Sequence, residues 1–400
     1  MILPGKTIGI LGGGQLGRMF AIAARRMGYR VAAFDPTQDC PTGQVADIEV
    51  NAPYDDLAAA RRFAEQVDVV TFEFENVPSE TLAAIEEICP VHPSPFVLET
   101  TRHRLREKNV LRSNGFPVAD FVEVRSADDL QRAVAQLGVP CVLKTASFGY
   151  DGKGQVKIDG STDLVRAWST LVGAFGSEAE APGLFGSTLL GVVEKFVAFE
   201  REVSVIVART TDDDVKTFDV FSNEHRNHIL DITTVNKTAS GKPGASAPDD
   251  RFAKTAKELA TQIARAINLV GLLCVEMFVE HNGTIIVNEL APRPHNSGHV
   301  TFDAAVTSQF EQQLRAVCGL PLGDTTILRP AAMANLLGDL WQHAEPNWAA
   351  ALADPRVKLH LYGKRDAKPG RKMGHITALA ETVNEARAIV VAARQSLMQQ

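Results

Sequence analysis

The chain has 400 residues, enough for two or three domains with real cores, and its 45% hydrophobic and 22% charged residues are ordinary globular values that exclude a disordered chain. A net charge of -7 and a pI near 5.8 argue against a nucleic-acid-binding surface, so the basic residues that matter are local to a site. Five scattered cysteines with no CxxC pair suggest neither a disulfide framework nor a zinc site, and no stretch approaches the ~20 apolar residues of a membrane span. Lys6 and the glycines interrupt any opening apolar run, so no signal peptide is expected and a cytoplasmic enzyme is the default.

Lys6 to Asp35 reads strand, glycine loop, helix (Gln15 to Met27), strand. Gly12, Gly14 and Gly17 match GxGxxG, and Asp35 follows about 20 residues on, which is the dinucleotide fingerprint. Taken alone it supports a nicotinamide-dependent oxidoreductase. Its physical content is only a tight turn and free helix-start amides, which suit a ribose phosphate equally. Arg18-Met19 stands where a Walker A loop needs Lys-Ser/Thr. Asp55 to Gln66 reads as a helix and Asp68 to Phe72 as a buried strand. That strand's exit places Glu73 and Glu75 where open α/β sheets bind ligands. Helices over Glu80–Ile88 and Arg102–Asn114 and a connector at Pro93–Pro95 complete the first unit.

The pattern restarts with a helix over Ala127–Leu137 and a strand over Val139–Lys144 that ends in lysine. Gly149, Gly152 and Gly154 then surround Asp151 and Lys153, a flap whose amides suit a polyphosphate. Leu189–Lys195 reads as a strand. Glu200, Glu202 and Ser204 alternate with Val203 and Val205, a strand buried on one side. Val215–Asn223 reads as a strand leading to His225 and Arg226, and Asp249–Leu269 as a helix. Asn282-Gly283 then signals a two-residue hairpin turn that pairs His281 with Thr284. Counted outward, Glu276 lands opposite Glu289, a repulsive pair unless a divalent metal sits between. Arg293, His295 and Asn296 follow on a loop stiffened by Pro292 and Pro294. Thr301–Val317 reads as one helix. Short strands are expected at Ala331–Leu336 and Val357–Leu361, a basic cluster at Lys364, Arg371, Lys372 and His375, and a final helix over Glu381–Met398.

The blocks GGGQLGRM from Gly12, TFEFENVP from Thr71, FGYDGKGQ from Phe148, FExEVS from Phe199, NELAPRPHNSGH from Asn288, and YGK with GRKMGH from Tyr362 cover nearly the whole chain. Together they resemble the ATP-grasp superfamily and, within it, the N5-carboxyaminoimidazole ribonucleotide synthetase family of purine biosynthesis. The resemblance implies a mixed α/β and α+β chain. A Rossmann-like substrate domain would span 1–98 and an ATP-grasp region 99–325, with a lid lobe within 145–205. A small β-rich domain would span 326–400.

It further implies an ATP site of Arg104, Lys144, Gly149, Tyr150, Asp151, Gly152, Lys153, Gly154, Gln155, Glu194, Lys195, Phe196, Val197, Glu202, His225, Asn288 and Glu289. Mg2+, with Mn2+ as a substitute, would sit on Glu276 and Glu289. Aminoimidazole ribonucleotide would meet Gln15, Leu16, Glu73, Tyr150, Asp151, Lys153, Lys364 and Arg371. Bicarbonate would meet Arg293, His295 and Asn296, with Lys364 completing the catalytic set. A homodimer is implied, with no nucleic acid and no membrane as partner. His103 stands before Arg104 where the family pattern has an acid. The expected reaction is ATP-driven carboxylation of the ribonucleotide amine by bicarbonate through carboxyphosphate. The rivals are a formate-dependent glycinamide ribonucleotide transformylase-like ligase, the oxidoreductase and a non-catalytic nucleotide-binding module.

Overall fold

A computed structural model describes residues 1–147, 154–174, 191–237 and 248–398. The N-terminal unit is a four-stranded parallel sheet of β1 (Thr7–Leu11), β2 (Arg30–Asp35), β3 (Ile48–Asn51) and β4 (Val69–Phe72), in the order β3-β2-β1-β4. The helix Gln15–Arg26 buries Leu16, Met19, Phe20, Ala23 and Ala24, the face its apolar spacing provides. A second sheet of β5 (Phe121–Val124), β6 (Cys141–Thr145), β7 (Gln155–Ile158) and β8 (Gly191–Lys195) is antiparallel, in the order β5-β8-β6-β7.

The third sheet has nine strands: β9 (Phe199–Arg209), β10 (Val215–Thr217), β11 (Phe221–Arg226), β12 (Ile229–Val235), β13 (Gly271–Glu280), β14 (Ile285–Ala291), β15 (Ala331–Leu337), β16 (Val357–Leu361) and β17 (Lys372–Leu379). Its order is β14-β13-β9-β11-β12-β15-β17-β16, with β10 on β9. The C-terminal strands therefore extend the central sheet edge to edge, which carries the basic cluster near β17 toward the hairpin.

Several expectations change in detail. β9 is a central strand, buried on both faces. Val203, Val205 and Val207 pack under the helix Pro248–Ala266 side, while Ile206 and Ala208 pack on the other. The 215–223 stretch divides into β10 and β11, and His225 lies within β11 rather than after it. The 301–317 helix breaks into Thr301–Ala304 and Gln309–Val317. Ala305 pairs with Ile327 across the break, and Ser308 caps the second helix by accepting from the Glu311 amide. Ser308-x-x-Glu311 is the helix-start pattern that marks this break in the sequence. The break also delivers Gln309, whose amide accepts from the His295 N–H at 2.9 Å and donates to the His295 carbonyl at 2.8 Å.

Candidate active site

Glu276 on β13 does face Glu289 on β14, but the route differs from a two-residue turn. The Glu280 amide donates to Thr284 O and the Gly283 amide to Glu280 O, so the loop is His281-Asn282-Gly283. Gly283 takes φ +84°, the left-handed position that a three-residue hairpin loop demands. That loop shifts the register by one: Val279 faces Ile285, and Met277 faces Val287. A bulge at Asn288 then shifts it back, bringing Glu289 opposite Glu276. Val287 and Leu290, three apart, are both buried in the core, and Asn288 and Glu289 share the opposite, more open face.

The helix Arg104–Ser113 supplies three ionisable groups, Arg104, Glu107 and Lys108, at spacings of three and four, with burial raising the Glu107 carboxyl to about 8. Arg104 pairs with Glu289 at 3.1 Å. Lys108 is fully buried and pairs with Glu194 of β8 at 3.2 Å, which also holds Lys144 of β6 at 3.1 Å. Burial pushes the Glu194 carboxyl up, but Lys108, Lys144 and Arg104 outweigh it and hold it at about 2. Glu194 is 4% exposed, and its carboxylate is engaged by these lysines. His103 leaves the helix start without a side-chain cap, yet the Arg104 amide still donates to Ala146 O at 2.8 Å. Lys195 is exposed at the strand exit, Phe196 lies under the Lys157 ammonium at 4.5 Å, and the Val197 carbonyl accepts from the Phe199 amide. Gln155 reaches His228 at 3.3 Å, and Gly154 O accepts from the Thr145 amide. Gly149, Tyr150, Asp151, Gly152 and Lys153 lie outside the described residues.

The GxGxxG loop is filled from within. The Glu73 carboxylate accepts from the amides of Gly14 at 2.6 Å, Leu16 at 3.2 Å and Gly17 at 3.3 Å. A Cβ at Gly12 or Gly14 would lie 2.5 or 2.7 Å from the Glu73 side chain, which explains two of the fingerprint glycines. Asp35 accepts from the Gly13 amide at 2.7 Å and from the Tyr54 hydroxyl at 2.7 Å, so it is not an open ribose partner. The oxidoreductase reading of this loop therefore falls: its amides and its acid are bound to each other's neighbours rather than presented to a dinucleotide. Gln15 is half-buried at the loop's helix start, and Leu16 is buried.

The loop after β14 converges on this carboxylate. Arg293 Nε pairs with Glu75 at 2.6 Å, and burial raises the Glu73 carboxyl above its ordinary value, with Arg293 and Lys364 close enough to pull it only part of the way back. His295 Nε2 pairs with Glu276 at 2.9 Å, and its Nδ1 meets the Ser297 hydroxyl at 2.9 Å. Burial pulls the His295 imidazole down, but Cys274 and Glu276 raise it to about 10. His225 Nδ1 pairs with Glu202, and Glu276 also feels His225 and Lys372. Lys364 Nζ donates to Lys372 O at 2.7 Å, whereas the Arg371 guanidinium bonds Asp366 O in its own turn. Asn296, 7% exposed, has both amide atoms buried without a hydrogen-bond partner in the structure, and Asn288 Oδ1 is in the same position. Such buried polar atoms call for a partner, which a ligand could supply.

The Glu276–Glu289 pair fits a hard divalent ion. Two carboxylates and the orphaned Asn288 Oδ1 are oxygen donors. Among the described residues no group of three or more His, Cys, Asp or Glu is arranged to hold a metal by itself, so phosphate and water oxygens would complete the shell.

Comparison with known proteins places this geometry. The ATP-grasp domain family matches residues 109–310, the ribonucleotide synthetase preATP-grasp domain matches 5–102, and the phosphoribosylaminoimidazole carboxylase C-terminal domain matches 331–389. The N5-carboxyaminoimidazole ribonucleotide synthase of Bacillus subtilis (strain 168) is 42% identical, covering 96% of this chain and 94% of its own. The chain belongs to the N5-carboxyaminoimidazole ribonucleotide synthase family. A crystal structure of the ADP complex of an N5-carboxyaminoimidazole ribonucleotide synthetase superposes with TM-score 0.86 at 41% identity, covering 100% of this chain and 99% of that one. The Aspergillus clavatus synthase, solved with ADP and 5-aminoimidazole ribonucleotide, superposes with TM-score 0.83 at 30% identity over 99% of each chain. Like other synthases of this family, the enzyme is an ATP-dependent ligase forming a carbon–nitrogen bond. It carboxylates 5-aminoimidazole ribonucleotide to N5-carboxyaminoimidazole ribonucleotide in purine biosynthesis.

Four residues of this charge network, Glu107, Lys108, Glu75 and Lys372, are not placed by local sequence pattern alone. Lys108 and Glu107 are one helical turn from Arg104, and the RLREK spacing was their signal. Glu75 was noted as an acid but not as the partner of Arg293, and no local pattern links residues 218 positions apart. Lys372, part of the basic cluster, reaches the field of Glu276 only because β17 joins the central sheet.

Proposed function

We propose that the carboxyl donor is bicarbonate, activated by ATP as carboxyphosphate, and that the residues divide as follows. Arg104 and Lys144 bind the nucleotide phosphates, Asn288 faces them, and the Gly149–Gln155 flap covers them. Glu194, Lys195, Phe196 and Val197 line the adenine, Glu202 takes the ribose hydroxyls, and His225 steadies Glu202. Glu276 and Glu289 hold Mg2+, or Mn2+ in its place, which when bound neutralises phosphate charge and orients the γ-phosphorus. Gln15, Leu16, Glu73, Tyr150, Asp151, Lys153, Lys364 and Arg371 seat aminoimidazole ribonucleotide.

Glu289 and Glu276 hold Arg104 and His295 in the free enzyme. With Glu289 and Glu276 engaged by a metal, Arg104 and His295 would be free to face the phosphates and the carbonate. Arg293, whose planar fork matches two oxygens, grips bicarbonate beside Asn296. Bicarbonate oxygen attacks the γ-phosphorus, ADP leaves, and the mixed anhydride is shielded from water by the flap. The ribonucleotide amine then attacks the carboxyl carbon, the carbon–oxygen bond to phosphate breaks, and a proton leaves the nitrogen. His295, paired with Glu276 in the free enzyme, then donates its proton to the departing oxygen.

The observation that carries this reading is the convergence of Arg293, His295 and Lys364 on the acids Glu75, Glu276 and Glu73 at one end of the hairpin. Bicarbonate labelled with oxygen-18 tests it: one labelled oxygen should appear in the released phosphate. Unlabelled phosphate, with product still formed, would reject carboxyphosphate. The five free, buried cysteines suit a reducing cytoplasm, and a homodimer is the proposed assembly. Light scattering that gave the monomer mass would reject the dimer.

A further inference from the structure

The bulge at Asn288 is an irregularity that something must hold. An extra residue in an edge strand leaves main-chain groups that the β13 ladder does not use. Val287 and Leu290 are three apart, and in a regular strand their amides would point to opposite edges. Here both point away from β13: the Val287 amide donates to Pro117 O at 2.8 Å, and the Leu290 amide to Glu107 Oε2 at 2.9 Å. Between them, the carbonyl of Asn288 itself accepts from Lys108 Nζ at 3.3 Å. Consecutive residues of one helix thus grip both sides of the bulge, an acceptor for one main-chain donor and a donor for one main-chain acceptor. Lys108 is fully buried and Glu107 is 2% exposed, and the hydrogen bonds and ion pair of the two run to protein groups. Their work is on the backbone that carries Glu289.

We infer that Glu107 and Lys108 are positioning residues for the carboxylate pair. They clamp the Asn288 bulge, and the bulge restores the register that sets Glu289 opposite Glu276. Without the extra residue the hairpin register would bring Asn288, not Glu289, across from Glu276. The clamp rests on the reading of Glu276 and Glu289 as the metal seat.

Binding of Mn2+ with ADP, followed by electron paramagnetic resonance, tests the clamp without turnover and without the amine substrate. Glu107→Leu removes the acceptor for the Leu290 amide and should weaken Mn2+–ADP binding about tenfold, the scale expected for a group that orients a metal ligand. Lys108→Met, which frees the Asn288 carbonyl, should lose a similar factor. Glu107→Gln keeps a carbonyl acceptor and should bind as the wild type does, a rescue that general destabilisation would not give. Wild-type affinity in a folded Glu107→Leu or Lys108→Met variant would overturn the clamp. Should those two fail to fold, a tenfold loss in Glu107→Gln would overturn it too, since the amide suffices as acceptor. Glu289→Gln separates the layers. Unchanged affinity there would refute the metal seat itself, while a loss there with none in Glu107→Leu would refute the clamp alone.

Discussion

Glu276 and His295, both part-buried, sit 2.9 Å apart, and each sustains the other's charge. The carboxylate is held low and the imidazole high, although burial pushes both the other way. The free enzyme thus keeps a protonated histidine at neutral pH, beside the loop that binds the carbonate-derived anion in the proposed mechanism.

That charge depends on Glu276 remaining available to His295. A carboxylate drawn to Mg2+ loses part of its hold on the imidazole. The His295 pKa, about 10 in the free enzyme, should therefore fall by at least about one unit when Mg2+ and ADP are added. Histidine carbon-proton shifts followed by NMR across pH 6–11 measure this. An unchanged titration would mean that Glu276 does not turn to the metal.

Glu289→Gln should lower turnover by about a thousandfold or more while leaving the thermal midpoint within a few degrees, because the side chain is part-exposed and the amide is isosteric. Phosphate release at ordinary Mg2+ measures the first and thermal unfolding the second. An active Gln variant would show that the pair does not seat the metal.

Glu194 makes a pH prediction whose sign follows from its depressed carboxyl. Its folded value of about 2 lies below its ordinary 4.5, so the unfolded chain takes up the proton first as pH falls. The stabilisation is full above about pH 4.5 and disappears between there and pH 2, a change of about 3 kcal/mol. Glu194→Gln should be less stable than the wild type at pH 7, leaving Lys108 and Lys144 unpaired. The gap should close as pH approaches 2. Denaturant unfolding at stepped pH measures it, and a gap constant with pH would contradict the ion-pair account.

Glu73 holds the glycine loop through three backbone amides. Glu73→Ala should cost about 3 kcal/mol of stability, the scale of leaving such buried donors without their acceptor. Fluorescence titration of the wild type should show no NADH binding below millimolar concentration. Tight NADH binding would revive the dinucleotide reading.

Local pattern carried much of this molecule. Gln15 to Met27, Ala127–Leu137 and Val357–Leu361 appear as helices or strands within a residue or two, because apolar spacing and caps act over a few residues. The Glu276–Glu289 pair was legible, yet by compensation: a one-residue error in the turn was undone by the Asn288 bulge, and neither irregularity has a strong local signal beyond Gly283. The glycine fingerprint misled because identical glycines admit a neighbouring carboxylate as readily as a phosphate, and Glu73 lies 59 residues from Gly14. Pairings such as Arg293 with Glu75 and Lys108 with Glu194 depend on which strands meet, and that is decided by packing across the whole chain.

The most direct test is a crystal of the enzyme with Mn2+ and a non-hydrolysable ATP analogue, read by the anomalous signal of the metal. The account predicts a peak within coordination distance of the Glu276 and Glu289 carboxylates, with the phosphates beside Arg104 and Lys144. A metal and phosphates lying against Gly12–Gly17 instead would contradict it.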